Sequence, residues 1–246
     1  MKLTKENILG DFMIAIEHLT NYKPKAQLLA QGSIKRTFLW FPLVGLLMGS
    51  TVTLLCTLLY SILDPSLFMA FACGVLYAGL AYYLEVSKGI NALLKLTNIY
   101  SGKKYESEFK TFVSEYLRLI VTCSVIACKI LVPTALLYYN KDAGYWLILP
   151  FVLTSASVGA FASVIKRTQL QFNKQQVNYA WIVAVIVSTL ISGIYGFAVA
   201  GSVVFGVKQL FTKIFMQDES IQYLLLTASN EVLFCIVLLA GSIIFI

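Results

Sequence analysis

Two ionisable residues stand inside otherwise apolar runs, Lys129 in the third run and Glu231 in the last. Inserting such a charge costs about 2.5–3.5 kcal/mol, so it normally faces the bundle interior and a partner. Counted from the basic end of each run, Lys129 lies at a depth of about 20 Å and Glu231 at about 15 Å. The two side chains can span the difference of about 5 Å, and buried charges are generally paired. The spacing therefore predicts a Lys129–Glu231 ion pair or a shared polar cavity. Structurally this is a bridge that fixes packing. Functionally it is the polar floor of a cytoplasm-facing cleft, or a proton or ion relay.

The other place with room for polar chemistry is the segment Glu85–Arg118, EVSKGINALLKLTNIYSGKKYESEFKTFVSEYLR, the longest polar stretch of the chain. Its carboxylates are Glu85, Glu106, Glu108 and Glu115. Glu85 has no acidic neighbour one or two helical turns on, where Lys88, Gly89 and Ala92 stand. Mg²⁺ is usually held by one or two carboxylates together with substrate phosphates, so the segment permits a metal site without signalling one. Val86, Ile90, Leu93 and Leu94 share one helical face, and Phe109, Phe112, Val113 and Tyr116 share another. Asn98-Ile99-Tyr100-Ser101-Gly102 reads as a turn between them. The pattern predicts a cytoplasmic helical hairpin over about 85–115. It is either a connector with lysines on anionic head groups or a substrate-binding cap. The chain has no phosphate-binding P-loop, no HExxH and no Gly-x-Ser-x-Gly, and its one histidine is His18.

These groups are held in a strongly apolar chain. Of 246 residues 59% are hydrophobic and 13% charged, with mean hydropathy +0.79. Soluble domains carry roughly 25% charged residues, and apolar runs near 20 residues are the membrane signature. The expected fold is all-α, one polytopic membrane bundle over 1–246, with an arm over 1–37 and the bundle over 38–246. Spans are expected at about 38–63, 66–84, 116–140, 145–165, 177–193, 194–212 and 221–246. The fifth and sixth form one apolar run, with a turn expected at Ser192-Gly193-Ile194-Tyr195-Gly196.

Basic residues cluster in alternate connections. The arm holds Lys2, Lys5, Lys23, Lys25, Lys35 and Arg36. The 85–118 segment holds Lys88, Lys95, Lys103, Lys104, Lys110 and Arg118. Lys166, Arg167 and Lys174 follow span four, and Lys208 and Lys213 precede the last span. The intervening loops hold only Lys141. The positive-inside rule then puts the N-terminus in the cytoplasm and the C-terminus outside, and seven spans satisfy it. The net charge of +7 is thus a topology signal, and no nucleic-acid partner is implied. Residues 8–19 suit an amphipathic helix on the cytoplasmic membrane face, since Asp11, Glu17 and His18 interrupt any signal-peptide core. Gly45 and Gly49 in span one, and Ser155, Gly159 and Ser163 in span four, have the spacing of close helix packing. The five cysteines, Cys56, Cys73, Cys123, Cys128 and Cys235, lie within spans and read as buried small hydrophobes.

Four stretches carry a family resemblance. They are Phe12-Met13-Ile14-Ala15-Ile16-Glu17-His18-Leu19-Thr20-Asn21 with Pro24, the first-span block FPLVGLLMG from Phe41 within Ser33–Gly49, Cys128-Lys129-Ile130-Leu131-Val132, and Ser229-Asn230-Glu231-Val232-Leu233-Phe234. In order and spacing the chain resembles the cobalamin synthase family, the adenosylcobinamide-GDP ribazoletransferases, multi-pass enzymes of the bacterial inner membrane and of archaea. The resemblance implies joining of adenosylcobinamide-GDP to α-ribazole or its 5′-phosphate, with release of GMP and use of Mg²⁺. That is attack of an alcohol on a phosphoryl group, which needs positioning and charge neutralisation. It also implies cobinamide-nucleotide and ribazole partners beside membrane lipid, and leaves a homo-oligomer open.

The chain departs from the family where its acidic motif belongs. After span two the family carries a pattern close to HxDGxxDxxDG; here stands Tyr82-Tyr83-Leu84-Glu85-Val86-Ser87-Lys88-Gly89-Ile90-Asn91-Ala92. The family's Asp-x-Arg-x-Gly-Thr stretch before span three is also missing, and its Gly-rich acidic stretch before the last span is reduced to Met216-Gln217-Asp218-Glu219. The resemblance then implies Glu85, Asn91 and Asp218 as metal ligands, with Glu85, Lys129 and Glu231 as catalytic groups. Arg36, Lys88, Arg118 and Asn230 are the implied substrate contacts. Three functions stay open: a transferase of this type, an inactive relative that scaffolds a membrane complex, and a small-solute or ion permease.

Overall fold

The computed structural model describes residues 5–20, 22–30, 32–33, 37–63, 65–84, 92, 95–96, 107–162, 174–214 and 219–246. Among them the chain is helical, with no strand. Helix α1 is Lys5–Leu19 and α2 a single turn, Ala26–Leu29. A 3-10 turn, Phe38–Trp40, leads into α3, Phe41–Ile62, with Pro42 in the first turn where its missing N–H costs nothing. Helix α4 is Leu67–Leu84 and α5 is Ser107–Tyr139. A 3-10 stretch, Lys141–Ile148, joins α5 to α6, Leu149–Ala162. Lys174–Ile214 forms α7 and Glu219–Phe245 forms α8.

Four of these helices contain runs long and apolar enough to cross a membrane: Phe41–Ile62, Glu115–Tyr139, Asn178–Gln209 and Thr227–Phe245. Leu67–Tyr83 and Asp142–Val158 are shorter apolar helices. Exposed tyrosines mark both ends of the bundle. Tyr82, Tyr83, Tyr116 and Tyr179 stand at one end, and Tyr138, Tyr139, Tyr145 and Tyr195 at the other. From Tyr116 to Tyr138 the helix rises about 33 Å, close to a hydrocarbon core of about 30 Å. Tyrosine girdles at both faces are a bilayer pattern.

The expected break between spans five and six falls at Ser192 and Gly193, the only non-helical residues inside α7. Gly193 has φ 58°, a conformation open to glycine. A Cβ on Gly196 would overlap the carbonyl oxygen of Ser188. In an unbroken helix these residues stand about 12 Å apart, so the chain reverses here. Helix α7 is therefore two antiparallel limbs, 174–191 and 194–214, of about 27 and about 31 Å.

Glycine lets the backbones approach. A Cβ on Gly45 would overlap the Phe151 carbonyl, and one on Gly49 would stand 2.9 Å from the Ile148 oxygen, which brings α3 onto α6 and the end of the 3-10 stretch. Gly74 does the same for α4 against Thr134 and Ile130 of α5. Trp146 fills the space over Gly241, and its Nε1 donates to the Val237 carbonyl at 2.9 Å. The buried Tyr77 hydroxyl donates to the Leu147 carbonyl at 2.9 Å.

Three sequence expectations are corrected. The arm is docked on protein rather than lying only on lipid: Ala15 and Leu19 are buried in the core, and Phe12 meets Trp40 edge-on at 5.6 Å. Asp11 is buried and accepts the Ser33 N–H at 2.5 Å, so this charge faces the folded-back chain and not water. The second limb of the expected hairpin is the start of α5, which runs unbroken from Ser107 through the third span. Cys123 is exposed on α5, so the cysteines are not uniformly buried.

Candidate functional site: the polar centre between α5 and α8

Two side chain to main chain contacts set α5 beside α8. Cys128 Sγ lies 3.8 Å from the Cys235 carbonyl oxygen, and Asn140 Nδ2, one residue past α5, lies 3.4 Å from that of Phe245. Both contacts link rising numbers to rising numbers at nearly constant offset, so the helices run parallel. Lys129 is then level with a residue just past Cys235, and Glu231 sits about 7 Å lower. Side chains on a helix tilt toward its N-terminus, which carries the lysine stem down to that carboxylate. The result is an ion pair of 2.6 Å, Lys129 Nζ to Glu231 Oε1, with the side chains 4% and 8% exposed.

The ammonium also sits 4.3 Å from the centre of the Phe234 ring, one turn along α8 from Glu231. An ammonium over an aromatic face is attracted by the ring quadrupole. Phe234 meets Phe151 of α6 edge-on at 5.2 Å, and Phe151 meets Tyr77 of α4 at 5.8 Å. A connected row of buried aromatics thus bounds the pair on the Phe234 side. Four residues on from Lys129, Pro133 interrupts the helix ladder: it has no N–H for the Lys129 carbonyl.

Two residues of the polar segment pack on α8 toward its N-terminal end, below the pair. Ala92 and Leu96, one helical turn apart, pack with Ala228 and Leu225 of α8, and Ala228 is less than one turn from Glu231. Asn230 lies between them in sequence; its Oδ1 is buried and has no hydrogen-bond partner among the described residues. Most buried amide oxygens are satisfied, so an orphan next to an ion pair is a place for a ligand donor.

The residues singled out from the sequence are only partly brought together. Lys129 and Glu231 are brought together, and Asn230 is Glu231's neighbour along α8. Arg118 is exposed near the start of α5, about 17 Å along the axis from Lys129, in an open hollow of about 290 Å³ shared with Glu115, Leu119, Thr122 and Cys123. Arg36, Glu85, Lys88, Asn91 and Asp218 lie outside the described residues. Two members of the centre were not foreseen, Phe234 beneath the ammonium and Cys128 against Cys235. The signal was available: Glu231, Phe234 and Cys235 share one helical face, and Cys128 precedes Lys129.

The chain matches no family model, no curated protein and no solved structure. Among the described residues no three His, Cys, Asp or Glu groups converge as a metal site. Glu231, the carboxylate of the centre, holds an ammonium where a cation would bind. The residues implied as magnesium ligands, Glu85, Asn91 and Asp218, lie outside the described residues. What the described centre offers is a buried positive charge and the carboxylate that neutralises it, beside an aromatic ring.

Proposed function

We propose that the chain is a seven-span inner-membrane transferase of the cobalamin synthase type, with its N-terminus in the cytoplasm. The carrying observation is the packing of Ala92 and Leu96 on Ala228 and Leu225. Ala92 and Leu96, which end and follow the stretch where the family has its aspartates, pack on α8 within one turn of Glu231, which supports this reading. In this reading the segment is a substrate-binding cap and the pair is the floor beneath it. The alcohol oxygen of α-ribazole or its 5′-phosphate bonds to a phosphorus of adenosylcobinamide-GDP, and GMP leaves. Lys129 supplies positive charge toward the phosphates, Glu231 holds the lysine in place, and Asn230 Oδ1 accepts a hydrogen bond from the substrate. The tyrosine girdles, the chain reversal in α7 and the alternation of basic loops support the span count and orientation. Magnesium, to be held by Glu85, Asn91 and Asp218, belongs to the proposal on the resemblance alone.

The test is growth of a strain lacking cobalamin synthase under conditions that demand nucleotide-loop assembly. Wild-type chain is expected to restore growth, and Asn230→Ala to reduce it. Growth that survives Glu85→Ala and Asp218→Ala together removes those residues from the site. No growth with well-inserted protein overturns the transferase reading and leaves the scaffold.

A further inference from the structure

The five cysteines fall into two cross-helix pairs and one single residue. Cys56 and Cys73 join α3 to α4, each thiol pointing at the other's carbonyl oxygen at 3.5 and 3.4 Å, and both are buried. Cys128 and Cys235 join α5 to α8 and are only half-buried. Cys128 Sγ lies 3.8 Å from the Cys235 carbonyl oxygen. Cys123 is exposed and has no cysteine facing it among these contacts. Proximity and access therefore coincide at one place, beside the Lys129–Glu231 pair.

We propose that Cys128 and Cys235 form a reversible disulfide that staples α5 to α8. A disulfide needs backbones close enough for Cα atoms about 4.4–6.8 Å apart. Cys128 Sγ lies 3.8 Å from the Cys235 carbonyl oxygen, so the two residues meet across one helix contact, as a disulfide requires. The reaction breaks two S–H bonds and forms one S–S bond. Two electrons and two protons pass to a lipid-soluble quinone, which becomes the quinol; a dithiol reverses the step. Quinones reach half-buried thiols in a bilayer, where charged oxidants do not. The bond fixes the two helices that carry Lys129 and Glu231, so the pair can no longer follow any relative movement of α5 and α8. The inference does not depend on which reaction the centre performs.

The experiment uses full-length protein in membranes, with Cys56→Ala, Cys73→Ala and Cys123→Ala combined so that only Cys128 and Cys235 remain. Membranes are treated with a fully substituted benzoquinone, which oxidises thiols without adding to them, then denatured and labelled with a maleimide polymer that retards each free thiol on a gel. Two adducts are expected before oxidation and none after it, at monomer mobility, with both restored by dithiothreitol. Adding Cys235→Ser should leave one adduct that quinone does not remove. If the combined variant fails to fold, the wild-type chain is used beside Cys56→Ala with Cys73→Ala, and their counts should fall from five to three and from three to one. Persistence of both adducts, a covalent dimer on a non-reducing gel, or loss of only the Cys56 and Cys73 adducts overturns the proposal.

Discussion

Removing one member of the Lys129–Glu231 pair should be far worse than removing both. The contact is 2.6 Å, and the two side chains are 4% and 8% exposed, so neither charge can turn to water when the other is lost. Breaking a buried pair from one side costs about 3–5 kcal/mol, while replacing both partners by apolar groups of similar size is often neutral. Total stabilities are about 5–15 kcal/mol, so a single loss is a large share. Lys129→Met leaves a buried carboxylate without its ammonium, and Glu231→Leu leaves a buried ammonium over the Phe234 ring without its carboxylate. Each single variant should lose about 3–5 kcal/mol, or roughly two to four decades in the unfolding constant. Lys129→Met with Glu231→Leu should return to within about 1 kcal/mol of wild type. The measurement is reversible unfolding of purified protein in mixed detergent micelles, with all four forms compared as a double-mutant cycle. Single variants within about 0.5 kcal/mol of wild type would refute the reasoning, because the pair would then be solvated. A double variant as unstable as the sum of the singles would refute it too. The stable double variant also separates structure from chemistry. If it folds yet fails to restore growth, the charges act on substrate; if it restores growth, they only fix packing.

The remaining predictions concern packing and orientation. Gly45→Leu should destabilise by about 1–3 kcal/mol through overpacking against the Phe151 carbonyl, whereas Gly201→Leu, with nothing within 4 Å of the new Cβ, should be near neutral in the same unfolding assay. Equal effects at the two positions would contradict the α3–α6 contact. In a cysteine-free background, Asp142→Cys should react with a membrane-impermeant maleimide added outside intact cells, and Lys95→Cys should react only after permeabilisation; the opposite pattern reverses the proposed orientation.

The frame of this protein is legible in its sequence because bilayer constraints are one-dimensional. Apolar length located the helices, and Ser192-Gly193 located the reversal, since a helix pair that turns so tightly needs a residue able to adopt positive φ. The GxxxG spacing of Gly45 and Gly49 foretold a close helix contact, though not that α6 would be the partner. Asp11 shows where local reading stops. In sequence it only interrupts an apolar face; in the fold it caps the returning chain at Ser33, a contact across 22 residues that no periodicity encodes. The hairpin expectation failed at its second limb for a similar reason. Phe109, Phe112 and Tyr116 do share a face, but nothing between them and the third span breaks the helix, so α5 simply continues.

Depth arithmetic found the centre, and side-chain direction explains why it worked. The sequence left a gap of about 5 Å between Lys129 and Glu231, and parallel packing of α5 on α8 makes it about 7 Å. The gap closes because the lysine stem tilts toward the helix N-terminus, the end from which Ala92 and Leu96 meet α8. The same direction weighs between transfer and passage. A permease would need polar groups continuing past the pair toward the C-terminal ends of α5 and α8. There the ammonium meets Phe234, which is packed on Phe151 and through it on Tyr77, all three buried. A hydrated ion crossing that row would have to part three interlocked rings on three helices. The buried row of rings beside a closed pair weighs against a polar path through this part of the bundle.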